Sequence, residues 1–214
     1  MRVTNGGEMF DFFEDEAPWQ EPLASGAVIL RRFVQGDDDA LFREIQRIAT
    51  QSPFIHRITP GGFKMSVAMT GCGAAQWLSG RDGYLSNAES LPLSDTLLAV
   101  AKRAAIAADY PDFVPDSCLI NRYAVDSKMT LHQDKNERDL HQPIVSVSLG
   151  LPAVFLFGGR QRSDKTNKVL LEHGDVVVWG RESRLCFHGI SPLKPGIHPL
   201  TGPYRFNITF RKAL

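Results

Sequence analysis

Two histidines and an aspartate are the best candidates to hold a metal in this 214-residue chain: His132 and Asp134 in the run TLHQD, and His188 in LCFHGI. Alternate side chains of a strand point to the same side, so His132 and Asp134 can present an imidazole and a carboxylate to one ion. His188 closes the short run LCFH, and Gly189 after it permits a tight bend at the rim of a barrel. Two histidines and one carboxylate on a single face leave positions open for other ligands, a donor set that suits Fe(II) and O2. His173-Gly174-Asp175 has the same spacing and stays in contention on spacing alone. Gly174 reads better as a turn before VVVW, with Asp175 capping backbone amides. His56, His141 and His198 read as solvated or locally hydrogen-bonded.

A second constellation lies in the last apolar run. YRFNITFR sets Arg205, Asn207, Thr209 and Arg211 on one side of a strand and Tyr204, Phe206, Ile208 and Phe210 on the other. Arginine inside a sheet is costly unless paired, and its forked donors match a carboxylate, so two such residues imply a dicarboxylic ligand. The plainer alternative is an exposed edge strand with its arginines in water. In the run NRY, Asn121 and Tyr123 share a face and add neutral donors.

Elements must position these groups. After Asp116 the chain breaks into short runs rich in β-branched and aromatic residues: CLINRYA, MTLHQD, IVSVSLGL, AVFLFGG, VLLEHGDVVVWG, LCFHGI and YRFNITFR. Glycines and prolines punctuate them, which predicts a sandwich or barrel of jelly-roll type with a mouth for a site. Upstream, Asp37 to Asp39 open a helix carrying Leu41, Phe42, Ile45 and Ile48, and Ser94 or Asp95 opens another running to about Ala108. That second stripe is Leu97, Leu98, Ala101, Ala104 and Ala105. The two helices are expected to buttress a sheet. Residues 1–8 read as a disordered extension, and Phe10 to Gln20 as an irregular arm packed by a few rings.

The length fits one domain with its own core, in which residues 9–115 carry the arm and helices and 116–214 the β core. No apolar run of membrane-spanning length appears, and the acidic start is unlike an export signal. Three widely spaced cysteines without a CxxC argue against a disulfide framework and for a reducing cytoplasm. Lys plus Arg and Asp plus Glu balance at 24 each, so a polyanion would need a local basic patch.

Motifs along most of the chain carry a resemblance. PWQEPLA at 18–24, TPGGF at 59–63, MSVAMT at 65–70, Trp77 with GYL at 83–85, LINRYA at 119–124, LHQDK at 131–135, PIVSVSLGLPA at 143–153, LLEHGDVVVWG at 170–180, HGI at 188–190 and YRFNITFR at 204–211 resemble the bacterial AlkB family of nucleic-acid dealkylating dioxygenases. The resemblance runs from about Met9 to Arg211. It implies a mainly β fold with flanking helices, a double-stranded β-helix (jelly roll) core preceded by a nucleotide-recognition lid. His132, Asp134 and His188 would bind Fe(II), with His132 also beside the base, which relegates His173 and Asp175 to structural duty. Arg205 would pair with the distal carboxylate of 2-oxoglutarate, with Tyr123 alongside. Arg211, Asn121 and Asn207 would steady its metal end, and Arg122 of the same NRY motif is counted with them.

The implied reaction consumes O2 and 2-oxoglutarate to hydroxylate an N-methyl group of 1-methyladenine or 3-methylcytosine, after which formaldehyde leaves. The implied partner is alkylated single-stranded DNA, with double-stranded DNA and RNA in range, and the implied state is a monomer. Trp77, Tyr84, Leu85 and Ser86 of the lid would grip a flipped base. Arg162, with Arg160, Lys165 and Lys168, would form a basic loop for phosphates. Two departures bear on substrate. Asn136 stands where the family's best-known bacterial member has an aspartate, and Ser86 where an aromatic is expected, before a shorter loop from Asn87 to Ser94. The same residues leave open oxygenase chemistry on RNA or protein targets, and a non-catalytic nucleic-acid-binding module on the same barrel.

Overall fold

The computed structural model describes residues 17–59, 61–77, 83–86 and 90–214, and the side chains at 76 and 85 are not among those described. The expected extension at 1–8 and the arm up to residue 16 lie outside them. The elements in chain order are β1 (Trp19–Ala24), β2 (Ala27–Arg31), α1 (Asp38–Gln51), β3 (Ile55–Ile58), β4 (Lys64–Gly73), β5 (Ala75–Trp77), β6 (Tyr84–Ser86), α2 (Asp95–Ala107), β7 (Ser117–Tyr123), β8 (Met129–His132), β9 (Ile144–Gly150), β10 (Ala153–Phe157), β11 (Asn167–Leu171), β12 (Val176–Trp179), β13 (His188–Ile190) and β14 (Arg205–Arg211).

A large antiparallel sheet runs β1-β2-β12-β9-β14-β7-β4-β3, and a smaller one runs β11-β10-β13-β8. Both faces of the large sheet are covered, so its central strands β9, β12 and β14 are buried along nearly their whole length. One face, with Ile120, Val145, Val147, Val176, Val178, Phe206, Ile208 and Phe210, packs on the helices. The other meets the small sheet through Ile29, Met69, Ile144 and Val177 against Phe155, Phe157 and Ile190. The result is a jelly-roll-like pair of sheets with a cavity between them.

The helices form as their sequences dictate. In α1, Asp38 and Asp39 occupy the first turn, where a helix favours negative charge, and Leu41, Ile45 and Ile48 point into the core. In α2, the Ser94 side chain accepts a hydrogen bond from the Leu97 amide. Its buried stripe includes Val100 in place of the expected Leu98, which is half-buried. The arm expected to be irregular up to Gln20 already pairs as a strand from Trp19, because β1 finds a register on β2. Residues 19–31 and 55–73 add four strands to the sheet made by the C-terminal half, which is therefore continuous across residues 115 and 116. The expected single run VLLEHGDVVVWG is two strands, β11 and β12, which belong to different sheets and are separated by a turn at Gly174. No helix among the described residues is long and apolar enough to cross a membrane, and Cys72, Cys118 and Cys186 are buried free thiols.

Candidate metal centre and cosubstrate cavity

His132 is the last residue of β8, Asp134 continues the alternation two residues past that strand, and His188 opens β13. In the ladder His188 lies opposite His132, and their rings are 4.4 Å apart between centroids. His188 therefore begins a strand rather than ending one. Gly189 serves a different purpose from the expected bend: a Cβ there would sit 2.6 Å from the Met129 carbonyl oxygen, so its absence lets β13 close on β8. One ligand atom from each of His132, Asp134 and His188 lies within 4.8 Å of the others, the sole such group among the described residues. Each histidine Nε2 is 3.8 Å from an Asp134 carboxylate oxygen.

The rings are set for metal binding by what lies behind them. His132 Nδ1 is 2.9 Å from the Thr130 carbonyl and His188 Nδ1 is 3.0 Å from that of Cys186. A carbonyl can only accept, so each Nδ1 carries the proton and each Nε2 lone pair is turned toward the shared space. Burial, with the neighbouring His132 imidazole acting in the same direction, brings the His188 pKa down to about 4, which keeps it a neutral ligand near pH 7. Burial would push the Asp134 carboxyl up, but Arg211, His188 and His132 outweigh it and hold the group well below the usual carboxylate range. Arg211 donates to Asp134 Oδ2 through Nε and Nη2, at 3.0 and 2.6 Å. Arg184 donates to the Asp134 backbone oxygen at 2.6 Å and pairs with buried Glu137 at 3.1 Å, fixing the segment after β8.

These ligands open onto a cavity of about 320 Å3 whose far wall is the arginine face of β14. Arg205 is 1 % exposed and donates through Nη2 to Ser148 Oγ at 2.9 Å, while its Nε and Nη1 have no partner. Its guanidinium carbon lies 5.2 Å from the centre of the Tyr123 ring. Nη1 of Arg211 is also unpaired, and on the same strand face Asn207 accepts a hydrogen bond from Asn121 at 3.2 Å. Burying unpaired guanidinium donors costs several kcal/mol unless an anion completes them. Two cationic groups at opposite ends of one chamber, one of them beside the metal ligands, fit a dicarboxylate that reaches from Arg205 to the metal. The donor set and the orphaned arginine atoms thus fit Fe(II) and 2-oxoglutarate.

Comparison with known proteins agrees with this geometry. The 2OG-Fe(II) oxygenase superfamily model matches residues 26–211. The chain is 57% identical over 213 residues to the alpha-ketoglutarate-dependent dioxygenase AlkB of Salmonella typhimurium, covering 96% of this chain and 98% of that one. It belongs to the AlkB family. An AlkB homolog of Caulobacter vibrioides is 38% identical over 179 residues, 81% of each chain. The solved structure of OsALKBH1 superposes with a TM-score of 0.75 at 30% identity, over 90% of this chain and 99% of that one. The chain is an Fe(II)- and 2-oxoglutarate-dependent dioxygenase that consumes O2.

Within this AlkB-family site, Asn121, Tyr123, Arg205, Asn207 and Arg211 line the cavity, as do Trp77, Tyr84 and Asn136. Arg122 does not. Alternation along β7 turns it to the helix side, where its guanidinium packs over Phe54 at 4.6 Å and Tyr204 at 5.2 Å. Arg162 is exposed outside the cavity and lies 5.1 Å over the ring of Phe187, the residue before His188. Ser86 is exposed at the end of the small hairpin, where Trp77 pairs directly with Tyr84, and the Leu85 side chain falls outside the described ones. Gly83, at a positive φ of 61°, would place a Cβ 2.8 Å from Asn136 Cβ, so glycine lets the hairpin approach that loop. His173 accepts from the Gly150 amide and faces Asp38, while Asp175 accepts from Arg31, Arg32 and Glu172. Both are structural. Sequence reasoning missed Ser148, Trp179, Glu137 and Arg184. The serines of IVSVSLG were legible as a polar alternation facing the arginine strand, whereas the Glu137–Arg184 pair had no local signal.

Proposed function

We propose that the chain removes N-methyl groups from nucleobases, with 1-methyladenine and 3-methylcytosine in single-stranded DNA as its substrates. The observation that carries this reading is the union of metal ligands, an unsatisfied arginine and a ring-lined mouth in one cavity. The relatives named AlkB support it over nearly the full chain. RNA bearing the same lesions would present the same base edge, and double-stranded DNA would require the base to be extruded.

His132, Asp134 and His188 would hold Fe(II), which would supply O2 activation for a net conversion of an N-methyl group, O2 and 2-oxoglutarate into N-hydroxymethyl, succinate and CO2. Arg205 clamps one carboxylate through its two unpaired donors, and Tyr123 packs against the guanidinium. Arg211 keeps Asp134 ionised and offers its remaining donor to the metal end of the cosubstrate. Trp77 and Tyr84 form an aromatic rim on which a flipped base can stack. Burial raises the Tyr84 pKa, so its hydroxyl stays protonated and able to donate. Collapse of the hydroxymethyl product needs no side chain: the C–N bond breaks, the hydroxyl proton leaves, and formaldehyde departs from the restored base. The exposed cations Arg160, Arg162 and Lys165 on the β10–β11 loop, with Lys168 at the start of β11, suit backbone phosphates. A single chain holds every residue invoked, which suits a monomer, and the free buried thiols suit a reducing cytoplasm.

The test is product analysis on matched oligonucleotides carrying 1-methyladenine or 3-methylcytosine. With Fe(II), 2-oxoglutarate and ascorbate the chain is expected to release formaldehyde and restore the base, and His132→Ala to reduce both to background. Full turnover by His132→Ala would remove the assigned metal site.

A further inference from the structure

Trp77, with Met69 and Leu119, is shared by the linings of two cavities. It lines the large one beside the metal ligands, and it also lines a small one of about 50 Å3, to which Arg57 belongs and the large one does not extend. The Arg57 guanidinium carbon lies over the indole, 5.6 Å from its centroid. Local backbone geometry puts it there. The β3–β4 ladder is regular through His56 and Ala68, then resumes at Ile58 and Lys64, so four steps along β4 match two along β3 and the pairing is interrupted opposite Arg57. An irregularity of this kind re-aims a side chain. Arg57 Nε is buried and has no hydrogen-bond partner, and none of the described residues lining the small cavity is acidic. The indole face is therefore the main partner seen for this cation.

A ring that already carries a cation on one face attracts a second cation on the other face less, because both draw on the same π electrons and repel each other through the ring. None of the described acidic residues lining the cavity offsets this. Asp134 is committed to the metal site and Arg211, Glu137 is paired with Arg184, and Asn136 at the rim is neutral. Resting on the reading of the cavity as a methylated-base site, we infer that Arg57 is a positioning residue that sets lesion preference through Trp77. It fixes the ring as the cavity wall and shifts selectivity away from cationic bases, methylated at a ring nitrogen that bears no proton. The gainers are neutral bases methylated at an amide or imide ring nitrogen, such as 1-methylguanine and 3-methylthymine.

The test compares the wild type with Arg57→Met, which keeps bulk and removes charge, and Arg57→Lys, which keeps charge. Each is assayed on otherwise identical oligonucleotides carrying 1-methyladenine or 1-methylguanine. Arg57→Met is expected to raise the cationic-to-neutral ratio of kcat/KM by about three- to tenfold, through KM with kcat unchanged. Binding of the same oligonucleotides to metal-free protein should show the same change of ratio, and Arg57→Lys should restore it in part. An unchanged ratio overturns the inference. So does an equal loss on both lesions with a smaller salt dependence, which would make Arg57 a phosphate contact. If Arg57→Met does not fold, Arg57→Gln carries the same comparison. Wild type that neither binds nor turns over either oligonucleotide would instead overturn the proposed function, because the ratio would then have no substrate to report on.

Discussion

The two ends of the cavity are built on different principles. The floor, from His132 to Arg211, rests on β13 and β14, which are buried along their whole length, with half-buried β8 at the edge of the small sheet, and its polar groups are braced by carbonyls, serines and a buried ion pair. The rim, from Trp77 to Ser86, hangs on two strands of three residues each, with Trp77 and Tyr84 half-buried and Ser86 exposed. Chemistry that is the same for every substrate sits where the fold is stiffest. Substrate contact sits where a few rings can adjust to the strand they meet.

Removing Arg205 should break the floor most severely. Arg205→Met is expected to raise KM for 2-oxoglutarate by about a hundredfold or more, since truncating one partner of a buried charge pair costs about 2–5 kcal/mol. The same change removes Nε and Nη1, buried donors that no described residue satisfies, so the ligand-free variant should melt higher than the wild type. Added 2-oxoglutarate should stabilise the wild type and not the variant, as thermal denaturation would show. A variant that melts lower and still responds to 2-oxoglutarate would mean that Arg205 is a structural residue.

At the rim the expected effects are smaller and of another kind. Trp77→Ala should raise KM for a methylated oligonucleotide by about tenfold, given stacking of about 1–3 kcal/mol per base, and leave KM for 2-oxoglutarate unchanged. Steady-state kinetics with each substrate varied in turn separates the two. A rise in both constants would tie the rim to the floor and dissolve the distinction. The smallest effect is expected at His173, the competitor for the metal site. His173→Ala should leave Fe(II) affinity unaltered and cost about 1 kcal/mol of stability by stripping the Gly150 amide of its acceptor.

That competition shows how far the sequence could be read. Alternation in TLHQD and in YRFNITFR identified the faces that meet in the cavity, because each depends only on neighbours along one strand. What separates His132 from His173 is long-range: Asp38 and Arg31 arrive from the N-terminal half to occupy His173 and Asp175. The same limit hid β1 to β4. Their runs contain Pro22, Gly71 and Gly73, residues that weaken a strand pattern, and their pairing rests on β2 meeting β12 and β4 meeting β7 far along the chain. At Gly189 the missing Cβ matters for the close approach of β13 to β8 rather than for a bend, and such an approach leaves no trace in local sequence. Arg122 was included as a neighbour in NRY, and strand parity excludes it.

The most direct test of the division between floor and rim is the ratio of formaldehyde to succinate released in one reaction on a 1-methyladenine oligonucleotide, at saturating 2-oxoglutarate and limiting oligonucleotide. The wild type should give a ratio near one. Trp77→Ala should lower the ratio while succinate continues to form, because the floor still consumes 2-oxoglutarate when the base is poorly held. Succinate from the wild type without formaldehyde would contradict the assignment of a methylated base to this cavity, and a Trp77→Ala protein that loses both products in equal measure would contradict the separation of its two ends.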